Sequence, residues 1–225
     1  MNNLDLTVAL ATAPSSAFAE LRERPKFWFP LVLLTVVSAA MAFWYYSVVD
    51  IEWLKDAMFA NLPAEQRAGA MGFMTRTTLL WSAVVGTLIA FPVVMAVSAL
   101  YWFVAGKVTK LTPGYAHWFA FSCWTAMPIL INSVVAAILL LMSDTTQLTP
   151  GALQPLSLNE LVFHRPLGTP GQAYLETLNL LSLLSWVLSI IGVHVWSKRS
   201  WLFSTIFVLV PAVAFYGIWA LFAFK

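Results

Sequence analysis

The chain has 225 residues, 60% of them hydrophobic and only 10% charged, with a formal net charge of +2. Soluble domains carry about 25% charged residues, so this composition excludes an ordinary globular domain. The small positive balance and the lack of a basic run exclude nucleic acid as a partner.

The charges are clustered, and the runs between them exceed the ~20 residues that a membrane helix needs. The short alternating segments of a transmembrane barrel are missing. The sequence therefore predicts an all-α polytopic membrane protein, a bundle of five transmembrane helices with short interfacial helices. A cytoplasmic tail at 1–27 precedes a membrane domain at 28–225, with spans at about 28–49, 77–106, 117–142, 178–196 and 201–224.

In the tail, Pro14 sits where a first-turn proline would, with Thr12 as a possible cap, and Ser15–Arg24 reads as a short helix. Phe18 and Leu21 share its apolar face, which suits a helix lying at the headgroups. Asp5, Glu20 and Glu23 ahead of the first apolar run do not read as a cleaved signal peptide.

Span one, at 1.5 Å per residue, is about 33 Å long, enough to cross a bilayer. Aromatic residues stand at both ends, and Thr35, Ser38, Ala39 and Ala42 form a narrow stripe that allows close helix approach. The connection that follows mixes Ile51, Trp53, Leu54 and Met58 with Glu52, Lys55 and Asp56, and Pro63 opens a second short helical pattern through Met74. Both pieces are too short to bury a core alone and are expected to lie on the surface.

Span two carries Ser82, Gly86 and Ala90 in a small-xxx-small row, the spacing at which two helix backbones meet, and Pro92 as a cause of bending. In span three, Ser122, Thr125, Ile129, Asn132, Ser133 and Ala136 fall on one side at 100° per residue, and the rest of the circumference is aromatic and aliphatic. Pro128 lies at its centre. A proline inside a helix frees the carbonyl four residues earlier, here that of Trp124, and Pro92 and Pro211 do the same for Leu88 and Phe207.

The connection at 143–176 is broken by prolines and glycines, with Ser157-Leu158-Asn159-Glu160 matching a capping box. Span four then aligns Asn179, Ser182, Ser185, Ser189 and Gly192 on one face, and Lys198–Arg199 form a tight basic turn before span five.

No catalytic constellation stands out. No Asp, Glu, Lys or Arg lies well inside a span, and His117, His164 and His194 are scattered. Cys123 is alone in an apolar run, so neither a disulfide nor a metal cluster is indicated, and no cofactor is implied. The serines lack an activating histidine. The chain is expected not to be an enzyme.

The polar faces admit two readings. Small hydroxyl residues can pack helices together, or spans three and four can line a crevice for a lipid headgroup or small solute, with Asn132 at its centre. The first makes the protein act through association with itself or other membrane proteins. The second makes it a transporter, channel or lipid-handling protein.

Basic residues set the orientation. Arg22, Arg24, Lys26, Lys107, Lys110, Lys198 and Arg199 fall on one side, seven in all, against Lys55, Arg67, Arg76, Arg165 and Lys225 on the other. The seven lie close to helix ends in short segments, where the positive-inside rule acts, which puts the N-terminus inside and the C-terminus outside.

Three stretches give the chain a family resemblance. Ala13–Phe18 and Leu21–Pro25 form a proline, phenylalanine, proline pattern before span one. Thr125-Ala126-Met127-Pro128 leads into the aliphatic tail of span three, and Leu178–Trp186 runs through Ile191-Gly192 to a polar turn and the last helix. In this order and spacing the chain resembles the Yip1 family of five-span membrane proteins, in its short bacterial form. The resemblance implies a bacterial inner-membrane protein with its N-terminus inside, and a role in membrane organisation or trafficking. The long cytosolic region and acidic tyrosine-containing motif of the eukaryotic members are missing here, so their binding of Rab GTPases is not carried over.

Overall fold

A computed structural model describes residues 1–60, 63, 69, 71–72 and 74–225. The helix expected from Pro63 to Met74 lies outside the described residues. In chain order the helices are α1 (Asn3–Thr12), α2 (Pro14–Glu23), α3 (Trp28–Val48), α4 (Ile51–Met58) and α5 (Arg76–Val108). They continue as α6 (Tyr115–Thr125), α7 (Ile129–Met142), α8 (Gln172–Thr177), α9 (Leu180–Ser197) and α10 (Trp201–Ala223). Among the described residues five helical stretches are long and apolar enough to cross a membrane: α3, α5, α6 with α7 counted together, α9 and α10. No strand occurs among the described residues, so the all-α reading holds.

The tail holds more helix than its sequence suggests. Asn2 and Asp5 cap α1 reciprocally, Asp5 N donating to Asn2 Oδ1 at 2.8 Å and Asn2 N to Asp5 Oδ2 at 3.1 Å. Pro14 does open α2, but Thr12 is no cap. It is the last residue of α1, and its hydroxyl donates back to the Val8 carbonyl at 2.9 Å. The apolar face of α2 is as expected, with Ala17, Phe18 and Leu21 fully buried. It faces protein rather than headgroups, since Phe18 packs on Phe121 of α6 with ring centroids 5.5 Å apart.

The chain divides into two compact units. The first comprises residues 1–34, 90–128 and 182–217. Its core is aromatic: Trp118, Phe121 and Trp124 of α6 are fully buried with Phe18, and Trp196 of α9 is nearly so. Trp196 lies 5.0 Å from Trp118 and 5.1 Å from Phe121, centroid to centroid. Gly192 admits these rings, because a Cβ there would stand 2.5 Å from Phe121 and 2.9 Å from Phe18.

The second unit comprises residues 35–89, 129–181 and 218–225. Tyr45, Val49, Ile51, Leu54 and Leu140 form its buried apolar centre, with Leu148 and Leu153 of the long connection packed against it. Thr35, Ala39 and Ala42 of the narrow stripe are buried as well. Asp50 caps α4, accepting from Glu52 N and Trp53 N at 3.1 Å each. Arg76 covers the end of α3, donating to the carbonyls of Tyr46, Ser47 and Val49 at 2.8–2.9 Å. A guanidinium suits that place, because the last carbonyls of a helix lack donors and carry its negative dipole end.

The three prolines behave differently. The helix runs on through Pro92 in α5 and Pro211 in α10, whereas residues 126–128 interrupt span three and separate α6 from α7. The break repairs itself by tightening: Met127 N donates to the Trp124 carbonyl at 3.2 Å, the group Pro128 would have left bare. The carbonyl freed by Pro211, that of Phe207, accepts from the Tyr101 hydroxyl at 3.0 Å.

Candidate functional site

The break in span three parts the polar face that a continuous helix would carry. Ser122 and Thr125 belong to the first unit, Asn132 and Ser133 to the second. In the first, Thr125 Oγ1 donates back to the Phe121 carbonyl at 2.9 Å, and Ser189 Oγ does the same to Ser185 at 2.8 Å. Ser182 and Ser185 are half-buried. Ser122 Oγ, one turn beyond Trp118 Nε1, is buried without a partner among the described residues, and so is that indole N–H. His194 stacks on Trp201 at 3.9 Å between centroids, while His117 meets the Trp196 ring edge-on at 6.4 Å.

The most tightly specified polar feature of the first unit is a set of donors ending on backbone carbonyls. Trp196 Nε1 reaches the Phe18 carbonyl at 2.7 Å and Trp124 Nε1 the Lys26 carbonyl at 2.6 Å. Arg22 donates to the Trp196 carbonyl and to Thr112 Oγ1, the latter at 3.3 Å. Together these tie the N-terminal helices to α6 and α9.

In the second unit Asn132 is the centre of an amide network. Its Nδ2 donates to the Leu153 carbonyl at 2.8 Å, and its Oδ1 accepts from Asn179 Nδ2 at 3.0 Å. Asn179 also donates to Gln154 Oε1 at 3.2 Å and caps the start of α9 by accepting from Leu181 N at 2.9 Å. A two-residue bridge aligns these partners, Leu158 N bonding to Leu178 O and Leu180 N to Leu156 O. Ser133 bonds back to Ile129 at 3.3 Å. Asn132 and Asn179 thus do come together, but around the long connection, and the buried amide of Asn132 has both ends matched.

The same connection builds a cavity of about 210 Å³ that the sequence did not announce. Asn159, Glu160, His164, Arg165, Gln172 and Glu176 line it. Only half of the expected capping box forms: Ser157 Oγ accepts from Glu160 N at 3.2 Å, while Ser157 N bonds to the Gln154 carbonyl instead of the Glu160 carboxylate. Asn159 spans the next bend, its Oδ1 accepting from Arg165 N at 3.0 Å. Glu160 and Glu176 both approach Gly151, where a side chain would collide with the Glu160 carboxylate and come 3.2 Å from Glu176 Oε1. Burial pushes the Glu176 carboxyl above the usual range; a hydrogen bond from Gln172 opposes this, and nearby Glu160 adds to it. Two carboxylates 16 residues apart, with an arginine and a histidine, show no spacing rule, so no motif marks the cavity. Among the described residues no group of three or more His, Cys, Asp or Glu is placed to hold a metal ion.

Ser82, Gly86 and Ala90 are all exposed on α5, and a Cβ built on Gly86 meets nothing within 4 Å. Among the described residues nothing covers the row.

Five apolar helical spans, an aromatic core and buried amides paired inside the protein define a multi-pass α-helical membrane protein. Comparison with known families makes this specific. The model of the Yip1 domain matches residues 8–222, nearly the whole chain, and the protein belongs to the Yip1 family. Neither a curated protein nor a solved structure matches it.

Proposed function

We propose that this Yip1-family protein is not an enzyme and acts through association with itself or other membrane proteins, in membrane organisation or trafficking. The observation that carries this reading is the uncovered row on α5, where Ser82, Gly86 and Ala90 are exposed and Gly86 leaves open space. Lipid tails are as apolar as leucine, so helices in a membrane gain chiefly from close van der Waals packing, for which small residues are suited. The crevice reading lacks comparable support, because the Asn132 amide is already spent on Leu153 and Asn179.

Gly86→Leu tests the proposal. A leucine in an interface of that kind overpacks it at about 1–3 kcal/mol, so the oligomer measured by light scattering in detergent should shift toward monomer. An unchanged oligomer would remove this surface from the argument. The family and the basic residues further support a bacterial inner-membrane protein with its N-terminus cytoplasmic and its C-terminus on the opposite side. Reporter fusions after Lys110 and at Lys225 should then report opposite compartments.

A further inference from the structure

A groove of about 350 Å³ lies in the first unit between the C-terminal end of α5 and the start of α10. Its wall is nearly all apolar, formed chiefly by Val104, Ala105, Val108, Ile206 and Val210. Four of these, all but Ala105, are more than half exposed, so the groove opens where a membrane protein meets lipid tails. The volume falls at the small end of the range for ligand clefts, about 300–1,000 Å³.

One end of the groove is marked by charge. Arg199 bridges its two walls, donating from a guanidinium nitrogen to the Thr109 carbonyl at 2.6 Å while its Cζ sits 4.5 Å over the Phe203 ring. Thr109 and Phe203 both line the groove. Lys107, Lys110 and Lys198 are exposed on the adjoining turns. Two of them occupy positions that favour glycine. Lys110 ends α5 at φ +60°, with Leu111 N bonded to Gly106 O at 2.7 Å and Lys110 N to Lys107 O at 3.1 Å. Lys198 ends α9 at φ +55°, its N–H on the His194 carbonyl at 3.0 Å. A left-handed cap is most often glycine, and here each one places a cation at the turn instead.

Inside the chain Arg199 meets a carbonyl and a ring and Lys107 lies 5.4 Å over the Phe103 ring, contacts that leave their charge unneutralised. The helix-end carbonyls beside them already have donors: Gly106 O from Leu111 N, Thr109 O from Arg199, and His194 O from Lys198 N. Among the described residues none of the four pairs with a carboxylate. The acidic residues of this unit are Asp5, Glu20 and Glu23, all on α1 and α2, and none occurs from 66 to 143 or after 176. Four cations without a carboxylate partner among the described residues, at the mouth of an apolar, lipid-facing groove, complement one class of membrane component. We propose that this groove is a binding site for an anionic glycerophospholipid, an acyl chain lying along Val104, Val108 and Val210 and the phosphate held by Arg199 with the neighbouring lysines. Basic pockets between membrane helices bind anionic headgroups by this chemistry.

The proposal does not depend on association through Gly86, and the two fail separately. The test uses the full-length protein in detergent with equal amounts of palmitoyl-oleoyl phosphatidylglycerol and phosphatidylcholine, read by native mass spectrometry. The expected result is one phosphatidylglycerol retained with a preference of about tenfold over phosphatidylcholine, since each surface cation contributes measurably. Lys107→Gln with Lys198→Gln leaves the Arg199–Thr109 bond in place and should cut the preference by about threefold or more. Arg199→Gln should abolish most of it, and Arg199→Lys should keep part. Ala105→Phe, which fills the groove, should lower retention of both lipids. Equal retention of the two lipids by the unaltered protein overturns the proposal, as does a preference that survives the charge substitutions, or undiminished binding in Ala105→Phe.

Discussion

The two compact units solve the same problem with different side chains. In residues 1–34, 90–128 and 182–217, indoles and phenols supply four of the donors that reach distant backbone carbonyls, beside Arg22, Lys26 and Arg199: Trp196 on Phe18, Trp124 on Lys26, Tyr101 on Phe207 and Tyr115 on Ala96. In the other unit, Asn132 on Leu153 and Arg76 on the end of α3 do this beside the Tyr45 hydroxyl on Leu148, and Asn179 adds amide bonds to the side chains of Asn132 and Gln154. An indole or phenol brings a single polar atom on a large apolar surface, so it can satisfy a carbonyl and fill a core together. An amide fills little space but offers both a donor and an acceptor, so it can fix an irregular connection whose backbone has no helical partners. The amides gather where the proline-rich connection meets α7 and the start of α9.

The comparison breaks most clearly at Trp196. Trp196→Ala removes a nearly fully buried side chain that meets Trp118 and Phe121 and takes the indole donor from the Phe18 carbonyl. A cost of about 3–5 kcal/mol is expected from the cavity alone. Hydrogen exchange followed by mass spectrometry should show protection lost in 90–128 and 182–217 and largely kept in 143–179. Asn132→Ala should do the reverse at a lower cost, about 1–3 kcal/mol for the Leu153 carbonyl and the Asn179 amide left short of a partner. If both substitutions loosen the same peptides equally, the two units are not separate cooperative bodies.

Much of the architecture was legible because membrane helices announce themselves by length and apolarity. The five spans follow from residue type alone, with Pro128 at the centre of the third, whereas the exposure of Gly86 comes from the fold. The tail shows where that stops: Asn2 and Asp5 form a capping box with an aspartate in place of the usual glutamate, and α1 went unread. The indole bonds left no trace in the sequence either, since any carbonyl can receive an indole N–H and only the fold decides which one. Asn132 was singled out as an amide that must find partners, but those partners, Leu153 and Asn179, lie 21 and 47 residues away. At 100° per residue Ser122 and Asn132 share a face only where one helix continues across Pro128, and the chain interrupts the helix there.

The smallest expected effect sharpens the comparison at the carboxylates of the second unit. Glu176 lies outside the spans, and burial, with Glu160 adding, holds its folded-state pKa above the ordinary glutamate value despite the Gln172 hydrogen bond. Below that ordinary value the group is protonated in both folded and unfolded chains, so its burial costs nothing. As pH rises through the unfolded value and then the raised folded value, the unfolded chain gives up its proton first and folded stability is lost. Glu176→Gln should therefore match the unaltered protein near pH 4 and melt at a higher temperature near pH 7.5. Thermal unfolding in detergent across that range measures the crossover. A glutamine variant that is less stable at pH 7.5 would mean that the Glu176 carboxylate makes a favourable contact in the cavity that outweighs its burial.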